Sequence, residues 1–111
     1  PPFQTFTIKV NRTNHTSTKH LPLEFESNDE CYFIKNINPS FKILLEADLT
    51  TVSENPNDQK VFRPTQAPLS WYNTFEGGKQ WYTALGHSAD LYSQHWFVKH
   101  LQGGIEYILQ D

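Results

Sequence analysis

Gly86-His87 closes the apolar run Trp81-Tyr82-Thr83-Ala84-Leu85, setting an ionisable ring where a strand stops. An imidazole titrates near neutral pH, so His87 is a candidate proton shuttle or ligand. In open α/β sheets ligands lie beyond the carboxyl ends of strands, and a glycine there admits close approach to the backbone. The plainer reading is a turn glycine followed by a histidine bonded to its own loop, and spacing alone favours it. The acidic counterpart is Asp29-Glu30-Cys31-Tyr32, where strand alternation sends Glu30 and Tyr32 to one side and Asp29 to the other. Glu30 could serve as a general base or accept a hydrogen bond from a sugar hydroxyl if partial burial tunes it. A solvated acidic turn is the commoner case. His15, in Asn14-His15-Thr16-Ser17-Thr18, could join Glu30 and His87 around a divalent metal, but such long separations carry no ligand-spacing signature. A structural or exposed His15 is the safer expectation.

Trp71, Tyr72, Trp81 and Tyr82 fall on two neighbouring runs where rings can pair across strands or present a stacking face, with core packing the commoner outcome. Cys31 is the single cysteine, which excludes an internal disulfide and any multi-cysteine zinc site. Its apolar setting suits a small buried hydrophobe. No Ser-His-Asp or nucleophile-elbow pattern is present, and the triplets Asn11-Arg12-Thr13 and Asn14-His15-Thr16 are background of a kind frequent by chance. His95 and His100 sit on a helix, where a satisfied, partly buried histidine is the usual outcome.

These residues need a scaffold, and 111 residues suffice for one compact domain. A net charge of −3 disfavours nucleic acid and anionic membranes as partners. No apolar run has the length of a membrane span. The opening PPFQTFTIKV has neither a signal-type stretch nor an initiator Met, so the chain is expected to be a piece of something longer. Alternation from Phe6 to Val10 predicts a first strand, and Asn11 to Glu30 predicts a long polar and then acidic loop with an anchor at Leu21-Pro22. Cys31–Ile34 and Phe41–Ala47 predict two short strands, and Asp48–Ala67 an exposed, mobile loop. Leu69–Phe75 and Gln80–Leu85 around Glu76-Gly77-Gly78-Lys79 predict a hairpin. From Ser93, helical spacing of Trp96, Phe97, His100, Leu101, Gly104, Ile105 and Ile108 predicts a closing amphipathic helix, with Ser93 as cap. Gly103-Gly104 would let that helix approach the sheet closely.

The order of these pieces resembles the C-terminal half of the trehalose-utilisation (ThuA-like) family. The matching stretches are HTSTKHLP, NDECYFIKNINPSFKILLEAD and APLSWYNTFEGGKQWYTALGHSADLYSQHWFVKHLQGGIEYIL. The resemblance implies an α/β fold of the class I glutamine-amidotransferase-like (flavodoxin-type) kind, present here as its C-terminal portion, residues 1–111, with the N-terminal half and its parallel strands missing. His15, Glu30, Tyr32, Trp71, Gly86 and His87 match family positions, which shifts His87 and Glu30 toward a site. Thr16, Cys31, Ala67 and Lys79 depart from the pattern, and Lys79 in place of arginine loses bidentate geometry, against anion recognition near the hairpin. Glutamine hydrolysis is not implied, because its cysteine belongs to the missing half.

The resemblance implies carbohydrate metabolism. The leading reading is a domain that processes or binds a trehalose-type or oxidised sugar. In it His87 is proton shuttle or ligand, Glu30 its acidic partner, Trp71 a stacking platform, and His15, Tyr32 and Gly86 are substrate contacts, with enolisation as a conceivable chemistry. The alternative is a noncatalytic glycan-binding or scaffolding module of a secreted multidomain protein. A third reading gives the fragment no function on its own. Carbohydrate is the expected partner, with oligomerisation or fusion to other secreted modules, in either a bacterial-type extracytoplasmic or a cytoplasmic setting.

Overall fold

The computed structural model describes residues 2–54 and 64–110. Its strands are β1 (Gln4–Val10), β2 (Glu24–Asp29), β3 (Lys42–Ala47), β4 (Ala67–Phe75) and β5 (Gly78–Thr83), followed by helix α1 (His95–Leu109). They form one sheet in the order β2-β1-β3-β4-β5, with every pairing antiparallel. The described architecture is therefore mixed α/β with an antiparallel sheet, and the parallel strands of the expected fold are not among the described residues.

Alternation works as expected in β1, which buries Phe6 and Ile8 and turns Thr5 and Lys9 outward. Residues 24–29 correct the expected acidic loop, for they form an edge strand. Its inward positions are Phe25, Ser27 and Asp29, and its outward ones Glu24, Glu26 and Asn28. Two of the three inward residues are polar, so the period is there but the hydrophobic signal is not. Charged outward residues suit an edge, where they discourage pairing with another chain.

Cys31–Ile34, expected as a strand, is irregular. Asp29 Oδ1 accepts the Glu30 N–H at 2.8 Å as the chain leaves β2, and Cys31 is fully buried outside any strand. After β3, Asp48 caps a 3₁₀ turn at Leu49–Thr51, and Val52 is buried, so the start of the expected exposed loop packs. Residues 55–63 of that loop lie outside the described residues.

The β4–β5 hairpin forms as expected, but its turn is two residues, Glu76-Gly77, both with positive φ (51° and 81°). That is the requirement of a type I′ turn. Beyond β5 a 3₁₀ turn at Ala89–Ser93, capped by Ser88, leads into α1. Ser93 closes that turn by donating to the Asp90 carbonyl at 2.7 Å, and the N-cap residue of α1 is Gln94, not Ser93.

The helix lies on one face of the sheet, against Phe25 through Trp96 and against Trp81 through His100. Phe6, Ile8, Leu44, Leu45, Leu69 and Phe97, each at most 1% exposed, form the centre of the core. The two helix glycines work as expected. A Cβ on Gly104 would stand 2.5 Å from the Trp81 ring, and one on Gly103 would stand 2.2 Å from the Thr16 carbonyl oxygen. Gly104 thus seats the helix on β5, and Gly103 seats it on the β1–β2 connection, where the Thr16 hydroxyl donates to the Gly103 carbonyl at 2.6 Å.

Candidate functional site

Past Thr83 the chain leaves β5 and crosses the end of the sheet to the last residue of β2. There Asp29, 0% exposed, accepts the Gly86 N–H on Oδ2 at 2.8 Å and the His87 N–H on Oδ1 at 3.1 Å. The His87 ring follows, with Nδ1 3.2 Å from Asp29 Oδ1 and its side chain 27% exposed. One buried carboxylate therefore holds the Gly86-His87 corner by backbone and by ring. A carboxylate beside Nδ1 accepts, so the proton of a neutral ring sits on Nδ1 and Nε2 is left as the basic nitrogen.

Gly86 is required here for its backbone. Its φ is +106°, and an added Cβ would meet the Tyr92 hydroxyl at 2.6 Å and the Phe97 ring at 3.1 Å. The Tyr92 hydroxyl donates to the Gly86 carbonyl at 3.0 Å, fixing the corner from the other side.

Tyr32 lies against His87, ring centroids 4.2 Å apart, and its hydroxyl donates to Glu30 at 2.8 Å. That bond, aided by desolvation and by the charges of Glu30 and Asp29, raises the phenol above its ordinary value. Four of the six expected site residues thus converge: Glu30, Tyr32, Gly86 and His87. The carboxylate touching His87, however, is Asp29, and Glu30 connects to His87 through the Tyr32 ring. Asp29 was visible as the residue on the opposite side from Glu30. Its partner is 58 residues away, a separation no motif encodes.

Trp71 is placed elsewhere. Tyr72 and Trp81 face α1, so Trp71 and Tyr82 face the other side of the sheet. Trp71 stacks against Tyr82 at 4.4 Å and Phe41 at 5.7 Å, nearly parallel to both and 8% exposed. Rings on either side take both its faces, which leaves none for a sugar beside His87.

His15 is also apart. It belongs to the connection leaving β1 at Val10, whereas Asp29 pairs with Gln4 at the other end of β1. Phe97, near Gly86, and Tyr107, against His15, are ten residues apart on α1, about 15 Å of helix. His15 is buried between Tyr72 and Tyr107, centroids 4.7 and 4.8 Å away, and burial lowers its pKa. Its Nδ1 accepts the Ser17 N–H at 3.1 Å, so Nε2 carries the proton and is buried with no hydrogen-bond partner among the described residues.

His100, fully buried, is satisfied at both nitrogens, by the Ser17 carbonyl and the Thr83 hydroxyl, each at 3.0 Å. Desolvation lowers it from 6.5 to about 4. Lys79 reaches the C-terminal end of α1, donating to the Tyr107 carbonyl at 3.3 Å and to the Gln110 carbonyl, where a cation opposes the helix dipole. The same ammonium lies 5.3 Å from the Tyr107 ring centroid.

A metal held jointly by His15, Glu30 and His87 does not fit this arrangement, because His15 is at the far end of the sheet. Among the described residues no group of three or more His, Cys, Asp or Glu side chains converges as a metal site would require. Among them, too, no helix is long and apolar enough to cross a membrane.

The described residues, an antiparallel sheet with a helix on one face and a carboxylate-held histidine at its end, define a mixed α/β module. The chain belongs to the ThuA family, described as trehalose utilisation, whose model matches residues 1–108. In structure it is similar to a ThuA-like protein of Bacteroides uniformis, with TM-score 0.75 and 20% identity, over 98% of this chain and 44% of that one. It is also similar to a ThuA-like protein of Parabacteroides merdae, with TM-score 0.62 and 20% identity, over 98% and 41%. The chain spans less than half the length of these solved relatives. No curated protein matches the sequence.

Proposed function

We propose that this chain carries part of the active site of a sugar-processing domain, in which His87 transfers a proton through Nε2 while Asp29 holds its tautomer and orientation. The observation that carries this reading is the 3.2 Å contact from His87 Nδ1 to an Asp29 that is fully buried and gripped by the Gly86 and His87 N–H groups. A ring so held is pre-oriented, whereas a binding module has no need of a fixed basic nitrogen. The carbohydrate class comes from the family's description as trehalose utilisation. Tyr32 forms a wall beside the imidazole, and Glu30, bonded to the Tyr32 hydroxyl, offers its remaining acceptor capacity to a sugar hydroxyl.

The chain's coverage of its solved relatives supports a second part of the proposal. The module is the C-terminal portion of a glutamine-amidotransferase-like domain, and the rest of that domain completes both sheet and site.

The test is sugar turnover by the complete protein, followed by NMR against a panel of neutral and oxidised mono- and disaccharides. His87→Ala is expected to abolish turnover, and Asp29→Asn to reduce it about 10²-fold or more, the range for general acid–base groups. Unchanged turnover in His87→Ala would overturn the assignment.

A further inference from the structure

A groove of about 590 Å3 wraps the outer edge of β2, walled by that strand, by the Ala89–Ser93 turn and by the start of α1. Ligand sites commonly enclose roughly 300–1,000 Å3. Neither Asp29 nor His87 lines the groove, but the residues next to them do. Asn28 precedes Asp29 and Ser88 follows His87, so both chain segments that build the acid–base pair pass directly into the groove wall.

The lining combines two kinds of surface. Phe3, 52% exposed, and Trp96, half-buried with Phe25 beside it, supply ring surface. Between them lie Ser27, Asn28 and Ser88. The Thr5 hydroxyl donates to Asn28 Oδ1, which leaves the Asn28 amide N–H groups as donors. As an edge strand, β2 also has an outer row of backbone groups that no strand pairs among the described residues.

Charge then decides the ligand's character. Among the described residues the lining contains two exposed carboxylates, Glu26 and Asp90, and neither lysine nor arginine. Carboxylates accept from hydroxyls but repel an anion, and no cation of the described lining offsets that repulsion. Ring surface with donors and acceptors suits a compound with apolar C–H faces and many hydroxyls. An incoming β-strand would meet Glu24 and Glu26 along the edge, the kind of charge that protects edges from pairing.

We propose that this groove binds the non-reacting portion of a neutral saccharide and rejects phosphorylated or carboxylated sugars. Asn28, Ser88 and Asp90 serve as polar contacts, with Phe3 and Trp96 as ring walls. The ligand class rests on the carbohydrate reading above, but the location and the charge preference do not depend on His87 chemistry.

The experiment titrates the protein with trehalose and maltose and, separately, with glucose 6-phosphate and glucuronate, following backbone amides by NMR and affinity by calorimetry. The neutral disaccharides are expected to shift the amides of Ser27, Asn28 and Ser88, and the anionic sugars to bind at least about tenfold more weakly. Asn28 and Asp90 are exposed, so their replacement spares the core. Asn28→Ala should weaken the neutral ligands about tenfold, and Asp90→Lys should strengthen glucose 6-phosphate by a similar factor. Equal or tighter binding of the anionic sugars would overturn the proposal. So would silent groove amides, or concentration-dependent broadening confined to β2, which would assign the edge to strand pairing.

His87→Ala separates the two claims. If it leaves turnover intact while the groove still selects neutral sugars, the chemistry fails and the groove stands. If it abolishes turnover while the groove amides stay silent with every sugar, the groove fails and the chemistry stands.

Discussion

The exposed histidine and the two buried ones are built on opposite terms. At one end of the sheet His87 keeps 27% of its side chain exposed and faces a carboxylate; His15 at the other end, and His100 on the helix between them, are buried among rings, hydroxyls and a carbonyl. Burial without a countercharge disfavours the imidazolium, as the lowered pKa of both buried rings reflects. A carboxylate at Nδ1 instead leaves a partly exposed ring with a defined basic nitrogen. The contrast separates histidines buried against the helix from one held at the surface by a carboxylate.

The largest expected effect lies at the buried end. Gly103→Ala would drive a Cβ to 2.2 Å from a backbone oxygen of the β1–β2 connection, an atom that cannot swing aside. The helix must then lift from that connection, and chemical denaturation should show a loss of roughly 3 kcal/mol or more, typical of severe overpacking. A loss below 0.5 kcal/mol would mean that the helix is not seated there.

The next effect is acid sensitivity. His100 falls from 6.5 unfolded to about 4 folded, so the unfolded chain takes up a proton first as the pH drops. Its contribution to stability is complete above about pH 6.5 and is lost progressively down to about pH 4, on the order of 3 kcal/mol in all. His15 shifts in the same direction and adds to the slope. Denaturation midpoints measured from pH 7 to pH 4 should fall, and His100→Gln should flatten that fall. A profile independent of pH would contradict the buried neutral pair.

Smaller effects belong to the exposed end. Gly86→Ala sets a side chain at φ +106° and against the Tyr92 hydroxyl, at an expected cost of about 2 kcal/mol. Tyr92→Phe removes only the bond to the Gly86 carbonyl, which is solvent-accessible, and should cost about 1 kcal/mol or less. If Tyr92→Phe proved the costlier of the two, the corner would depend on the tyrosine and not on the glycine's backbone.

Elements whose inward residues are apolar were legible in the sequence. β1, β3, the β4–β5 hairpin and α1 follow from Phe6 and Ile8, from the Ile43–Leu45 run, from the glycine pair and from the Trp96-to-Ile108 period. β2 was not legible, because Ser27 and Asp29 occupy its buried positions and give no hydrophobic period. The run Cys31–Ile34 misled for the converse reason, being apolar without a place in the sheet.

Within the site, the side of the strand was readable and the partnership was not. Alternation set Asp29 apart from Glu30, but only the crossing of the chain from Thr83 to β2 shows that Asp29 meets His87. Trp71 looked like a platform because a sequence shows that a ring is present and not which rings cover it.

Asp29 beside Nδ1 fixes the His87 tautomer and leaves Nε2 basic. Long-range ¹H–¹⁵N NMR of the imidazole nitrogens, recorded at a pH where the ring is neutral, reads this directly. A proton on Nδ1 of His87 is expected in the native protein, with that preference lost in Asp29→Asn. A native His87 protonated on Nε2, or a tautomer indifferent to Asp29→Asn, would contradict it.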